Sequence, residues 1–327
     1  MSSLNAFLGG LKATAEITRL RLLALFTHGE LTVTEVTHIL RQSQPRISRH
    51  LKLLCDAGLI ERTKEGSWVF YRLVEEGDGH KLAQKLSEII PRDDAVLCRD
   101  FERLEEVRRQ RHAEAQKYFA ANAAEWDRIR ALHVAEEKVE QVVLDFVGQD
   151  QIAHYLDLGT GTGRMLELVS PRAFRAVGVD VNNEMLGLAR SRVERAALSN
   201  AQVRRADLFH LPYADESFDL ITVHQVLHYL EDPSAAVVEA ARVLKVGGRL
   251  VIVDFAPHAH EFLREEHQHR RLGFGDKEVL NWFKAAGLSL AATKALPPGE
   301  DSGLTVVVWL AHSPAVPKRH AKSAEAA

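Results

Sequence analysis

Apolar residues in the first ninety positions recur with a helical period until Gly58, where the period changes. "TAEITRLRLLALFTHGE" puts Ile17, Leu20, Leu23, Ala24 and Phe26 at helical spacing, and Gly29 supplies a stop. "LTVTEVTHIL" predicts a short second helix with Val33, Val36, Ile39 and Leu40 inward. After the turn "RQSQP" a third helix carries Ile47, Leu51 and Leu54 inward and ends at Gly58. Ser43 is placed to cap it, and Pro45 falls in the first turn, where a missing N–H costs nothing. "LIERTKEGSWVFYRL" then alternates with period two and turns at Glu65-Gly66, which predicts a β-hairpin. "GHKLAQKLSEII" closes the stretch as a further helix. Helix, turn, helix and hairpin in that order make residues 1–90 a winged helix-turn-helix, mostly α with one hairpin, expected to bind DNA.

Residues 91–147 are charged and helical, read as a linker helix pair. Residues 148–312 alternate short apolar runs with helical segments. "IAHYLDL", "RAVGVD", "AQVRRAD", "DLITVH", "RLVIVDF", "LSLAATKAL" and "LTVVVWLA" are the expected strands. Such alternation predicts a doubly wound, Rossmann-like α/β sheet. The tail, 313–327, is polar and proline-punctuated, and disorder is expected there.

Composition narrows the classes. A chain of 327 residues, 46% hydrophobic and 27% charged, is ample for two domains. The formal charge of −3 hides a local excess of cations. Between Arg41 and Arg72 stand Arg41, Arg46, Arg49, Lys52, Arg62, Lys64 and Arg72, against Asp56, Glu61 and Glu65. Cys55 and Cys98 are the only cysteines, so no disulfide framework is expected. "MSSLNAFLGGLKATAE" lacks the basic start and long apolar core of a secretory signal, and no apolar run reaches a membrane span. A cytoplasmic protein without membrane contact is expected.

Chemistry enters at "YLDLGTGTGR". Gly159, Gly161 and Gly163 follow a strand and open a helix, where glycine permits a sharp turn and close approach of a ligand to backbone. A dinucleotide fingerprint needs glycine at position 164, and Arg164 stands there. Asp180 ends the second strand, where a carboxylate can accept from two ribose hydroxyls, and Asp207 ends the third. With "PYADESFDLITVHQVLHYLEDP" and "RVLKVGGRLVIVDF" in order, residues 152–311 resemble class I S-adenosylmethionine (SAM)-dependent methyltransferases of the ubiquinone/menaquinone-biosynthesis type. The resemblance implies a seven-stranded sheet with SAM or S-adenosylhomocysteine (SAH) as cofactor. Asp157, Gly159 and Gly161 would line its methionine end, Thr160 and Gly163 would also bind the cofactor, and Asp180 would hold the ribose. Val181, Met185 and Leu208 would pack the adenine, Asp207 would hold its amino group, and His224 would sit by the sulfonium. "YFAANAAEWD" resembles the helix that lids this pocket, so Tyr118 and Trp126 would touch ligand or acceptor.

On the other half, Ser43, Gln44, Arg46, Ser48 and Arg49 occupy the first turns of the third helix, suited to base edges and phosphates. Arg62 and Lys64 on the hairpin would reach the DNA backbone or minor groove. "SQPRISRHLKLLCDAGLIERTKEGSWVFYRL" resembles the ArsR/SmtB winged-helix repressors, which implies a homodimer on a near-palindromic double-stranded operator. The metal-sensing members carry Cys-x-Cys in the second helix, where Thr32 and Thr34 stand here. Asp78 and His80 match half of a second metal site, but its partner positions fall on Pro91 and Asp94, so no metal is expected. Cys55 reads as a small buried hydrophobe. "APHAHEFLREEHQHRR" reads as a solvated helix flanking the acceptor pocket.

Two functions remain open. One is a transcriptional repressor whose DNA binding is set by SAM or SAH, with methionine and SAM-cycle genes as targets. The other is an active methyltransferase of a small acceptor with an appended DNA-binding unit, in which His224 and His228 are the catalytic candidates.

Overall fold

The computed structural model describes residues 4–65, 68–74, 77–123, 136–298 and 303–314. It contains two compact units: Met1–Lys117 with Ala259–Leu272, and Tyr118–His258 with Gly273–Ala327. This division departs from the expected domains. The helix read as the start of a linker packs into unit 1, and a segment expected within the cofactor domain joins unit 1 as well.

Unit 1 holds α1 (Leu4–Thr14), α2 (Ile17–Phe26), α3 (Val33–Leu40), α4 (Gln44–Asp56), α5 (Gly77–Ile89) and most of α6 (Ala95–Asn122). A three-stranded antiparallel sheet joins them, in the order β1 (Leu31–Thr32), β3 (Trp68–Leu73), β2 (Ile60–Glu65). Leu31-Thr32, expected as the first turn of a helix, instead pair with Tyr71 and Phe70. Thr32 then serves as N-cap of α3 in a capping box. Its hydroxyl accepts from the Glu35 amide at 3.3 Å, and the Glu35 carboxylate accepts from the Thr32 amide at 2.8 Å. The core is Leu22, Leu23, Leu25, Val36, Ile39, Ile47, Leu51, Leu54 and Leu59. Ile17, counted inward from its spacing, is 72% exposed, because it sits at the outer start of α2.

The reason α6 belongs here is an ion pair. Asp100, fully buried, takes Arg21 Nε at 2.6 Å and Nη2 at 2.7 Å, and Arg103 Nη1 at 3.2 Å. Leu104 and Val107 follow one and two helical turns on, into the same core.

Unit 2 is a seven-stranded sheet in the order β6-β5-β4-β7-β8-β10-β9. The strands are β4 (Ile152–Leu158), β5 (Ala173–Asp180), β6 (Ala201–Arg205), β7 (Phe218–His224), β8 (Leu244–Phe255), β9 (Ser289–Leu296) and β10 (Val306–His312). All seven expected runs are strands. The first five are parallel, and β10 runs antiparallel between β8 and β9. Around them lie α7 (Glu136–Val147), α8 (Arg164–Val169), α9 (Asn183–Arg195) and α10 (Pro233–Val243). The short α11 (Phe262–His267) falls in unit 1, and α12 (Asp276–Ala285) returns to unit 2. Leu156, Leu158, Ile221, Val223, Leu250, Ile252 and Trp309 from the sheet meet Val237, Ala240, Val279 and Phe283 of α10 and α12. The disordered tail expected from 313 lies outside the described residues from 315 onward.

Candidate functional site

The carboxyl ends of β4, β5 and β7 converge on the glycine loop, the position where open α/β sheets bind ligands. Gly159, Gly161 and Gly163 all have positive φ, at 66°, 52° and 84°. At Gly159 a Cβ would stand 2.4 Å from Val226 Cγ2, so backbone alone fits between the loop and the segment after β7. Gly163 approaches Ala189 of α9, where a Cβ would lie 3.1 Å from the Ala189 Cβ, which gives it a packing role. Arg164, the departure from the dinucleotide fingerprint, is the first residue of α8. Its guanidinium forks onto Glu140 of α7 at 2.6 and 2.7 Å and reaches Glu167 at 3.0 Å.

The carboxylates fall into distinct settings. Asp157 is buried beneath the loop and accepts from Thr222 Oγ1 at 2.7 Å, with the Tyr155 phenol 2.7 Å from the same hydroxyl. Asp180 closes β5 and draws in the loop, accepting from the Gly161 amide at 3.0 Å and the Asn182 amide at 2.9 Å. Burial lifts its carboxyl above the usual range, while the amides of Asn182, Gly161 and Val181 oppose that rise. Asp207 lies just past β6, exposed, with Oδ1 accepting from the Phe209 amide at 3.0 Å. Met185 and Leu208 are buried, and Val181 is half-buried. Thr160, buried, is held by its amide to Val179 O at 2.9 Å, and its side chain covers Gly178 of β5. Gly178 was not visible as a site residue from spacing, since it sits inside a strand rather than in the loop.

His224 is the last residue of β7. Gln225 follows in the left-handed region, φ 53°, with its amide on Val253 O at 2.7 Å. That bend carries the chain across to a 3-10 turn, Leu227–Tyr229, where His228 is buried. Its Nδ1 lies 2.7 Å from Asp254 Oδ1, and Asp254 is wholly buried at the end of β8. Asp254 was not anticipated: it is the sheet register of β7 and β8 that brings it beside His228. An Nδ1–H donated to that carboxylate would put the neutral ring's lone pair on Nε2. The surroundings are aromatic. The His228 ring lies 4.1 Å from Tyr229 and 5.1 Å from Phe255, and Phe119 packs edge-on to Tyr229 at 4.8 Å. Tyr118, expected at the lid, neighbours Phe119 at 5.8 Å, and burial pushes its phenol up to about 12. Trp126 lies outside the described residues.

In unit 1, α4 buries Ile47, Leu51 and Leu54 and turns Gln44, Arg46, Ser48, Arg49 and Lys52 to solvent. Ser43 precedes the helix but makes no side-chain cap. Arg62 and Lys64 are two apart on β2, hence on one face, and both are exposed. His50 on α4 lies 3.5 Å from Glu16. Among the described residues, no group of three or more His, Cys, Asp or Glu is placed to hold a metal. Of the histidine run 258–269, His258 belongs to unit 2, with its ring 6.0 Å from Phe255, and the rest belongs to unit 1. Among the described residues no helix is long and apolar enough to cross a membrane.

The strand order of unit 2, with β10 reversed between β8 and β9 and a glycine loop after β4, defines a class I methyltransferase fold, in a chain whose unit 1 is a winged helix. Residues 156–252 match the family described as methyltransferase domain, and residues 17–62 match bacterial regulatory protein, arsR family. The demethylmenaquinone methyltransferase of Thermobifida fusca is 37% identical over 39% of this chain and 52% of its own length. For the uncharacterized methyltransferase YcgJ of Bacillus subtilis the figures are 38%, 31% and 41%. The chain thus spans about half, or less, of these relatives' length. N-methyltransferase NodS of Bradyrhizobium japonicum, solved with SAH, shares the fold at a TM-score of 0.51. It is 21% identical, over 61% of this chain and 98% of NodS.

Proposed function

We propose that the protein is a DNA-binding transcriptional repressor whose affinity for DNA is set by SAM or SAH in unit 2, acting as a homodimer on a near-palindromic operator. One observation supports this reading: a recognition-type helix with its polar turns exposed and a glycine loop tied to the Asp180 carboxylate stand in one chain. The residues fit the ligand. Gly159 and Gly161 leave the loop bare for its methionine end, with Asp157, Thr160 and Gly163 fixing the loop's shape. Asp180 would hold the ribose hydroxyls, Val181, Met185 and Leu208 would pack the base, and Asp207 would take its amino group. His224 and Tyr118 would close the sulfonium side. Ligand can alter DNA affinity only by binding two conformations unequally. Genes of the methionine and SAM cycle are the targets such a signal suits. Support for a dimer comes from α1, where Leu4, Phe7, Leu8 and Leu11 stay exposed. A cytoplasmic location follows from this role.

The His228–Asp254 pair favours a second reading, an active methyltransferase. SAM, when bound, supplies an electrophilic methyl on a sulfonium. His228, oriented by Asp254, would take the proton that an acceptor N–H or O–H loses as its bond to the methyl carbon forms, with His224 as the alternative base.

Fluorescence anisotropy on a duplex from upstream of the protein's own gene, at fixed salt, separates the readings. The regulator predicts a change of tenfold or more on adding SAM or SAH, about 1.4 kcal/mol of coupling. Tight binding that ignores both ligands overturns it and turns effort to acceptor screening.

A further inference from the structure

The chain from Ala259 to Leu272 is an excursion whose ends are fastened in unit 2 and whose body is part of unit 1. The ends are pinned to each other. The Phe274 amide donates to Phe255 O at 2.8 Å, and at Gly273, φ 85°, a Cβ would stand 2.1 Å from Ala256 O. Only glycine permits that closure, and the result is an Ω-type loop with a fixed neck.

The body is held by buried arginines. Arg264, Arg270 and Arg271 are each more than nine-tenths buried, and their guanidinium carbons lie 5.7, 5.7 and 6.0 Å from the centre of the Phe70 ring. Arg271 Nη1 pairs with Glu30 at 2.8 Å, and Arg270 Nη1 stands 3.9 Å from Glu35. Arg264 Nη1 donates to the Arg270 carbonyl. These partners form one junction. Glu30 precedes β1, Glu35 caps α3, and Phe70 on β3 pairs with Thr32. The loop therefore grips the place where the wing meets the first helix of the DNA-reading pair, and α3 shares its core with α4.

The neck is equally well placed. Phe255 packs at 5.1 Å against His228, whose partner Asp254 ends β8, and Val226 in the same turn touches Gly159 of the cradle. Buried charge pairs are costly unless their geometry is kept, so such a grip is either held in register or released.

We infer that Ala259–Leu272 is the strap through which ligand in the cradle sets the DNA affinity of unit 1, a conclusion that rests on the regulator reading. The test uses the full chain with Glu30→Gln and Arg271→Met together, which removes the pair without leaving one charge buried alone. SAH binding is read by calorimetry and DNA binding by anisotropy on the same upstream duplex. The expected result is SAH affinity and ligand-free DNA affinity within twofold of wild type, while the effect of SAH on DNA binding falls from tenfold or more to under threefold. Undiminished coupling in the folded variant overturns the strap and leaves the regulator standing. Loss of DNA binding without ligand also overturns it, since the pair would then be a brace. A wild type that binds DNA but ignores SAM and SAH removes the reading and the strap together. Should the variant not fold, hydrogen exchange on the wild type decides: SAH must change exchange at amides 30–40, and no change there overturns the strap.

Discussion

At single positions, the cradle depends on close approaches that the sequence shows only in part. The glycines of the loop were legible because they cluster after a strand. Gly178 was not, since nothing in a strand's alternation marks the one place where Thr160 lies across it. Gly178→Val would push a side chain into Thr160, whose hydroxyl oxygen lies 2.6 Å from where a Cβ at 178 would stand. SAH affinity measured by calorimetry should fall at least tenfold, with the far-ultraviolet spectrum retained. Two histidines give unit 1 an acid limit. Burial lowers His28, with Arg108 and Arg92 adding to the effect, and burial lowers His50 against the pull of Glu16. Each binds a proton more readily when the chain is unfolded. Their contribution is present above the ordinary histidine range near 6.5 and is lost as pH falls from there through the folded values. The melting temperature of unit 1 should drop over that window, and His28→Gln should flatten the acid limb.

Among elements, period decided what could be read. The seven strands of unit 2 and the helix–helix–hairpin order of unit 1 are strongly patterned, so both fold types and the position of the cradle were legible. What escaped was set by contacts distant in sequence. β1 is a strand because Leu31 and Thr32 find Tyr71 and Phe70, although local pattern favours a helix there. The body of "APHAHEFLREEHQHRR" reads as a solvated face because arginine is usually exposed, whereas contacts with Phe70, Glu30 and Glu35, distant in sequence, help to bury it. Helix α6 reads as a linker because its surface is charged, yet Asp100 is fully buried. Asp100→Ala should therefore destabilise unit 1 by about 1.5–3 kcal/mol, the contribution of hydrogen bonds to charged groups, because Arg21 and Arg103 are partly exposed and can be hydrated. Urea unfolding of the variant checks this, and a change under 1 kcal/mol would show the pair to be dispensable.

For the molecule as a whole, the proposed dimer has a testable contact in α1, where Leu4, Phe7, Leu8 and Leu11 are exposed on one side of the helix. Leu8→Glu should shift sedimentation from dimer to monomer at micromolar concentration and weaken operator binding by far more than tenfold, because two half-sites are then bound separately. A variant that sediments like wild type would place the dimer contact elsewhere.

The reversed strand β10 carries a consequence for synthesis. Residues 306–312 lie between β8 and β9, so for most of translation the ribosome presents β8 with an open edge. Unit 1 also waits, for residues 259–272 arrive late in the chain. A prematurely terminated product ending before Val306 would keep the arginine-rich loop and the DNA-reading helix but expose two unpaired strand edges, and such chains are prone to aggregate. A shortened message therefore yields insoluble fragments rather than a constitutive DNA binder.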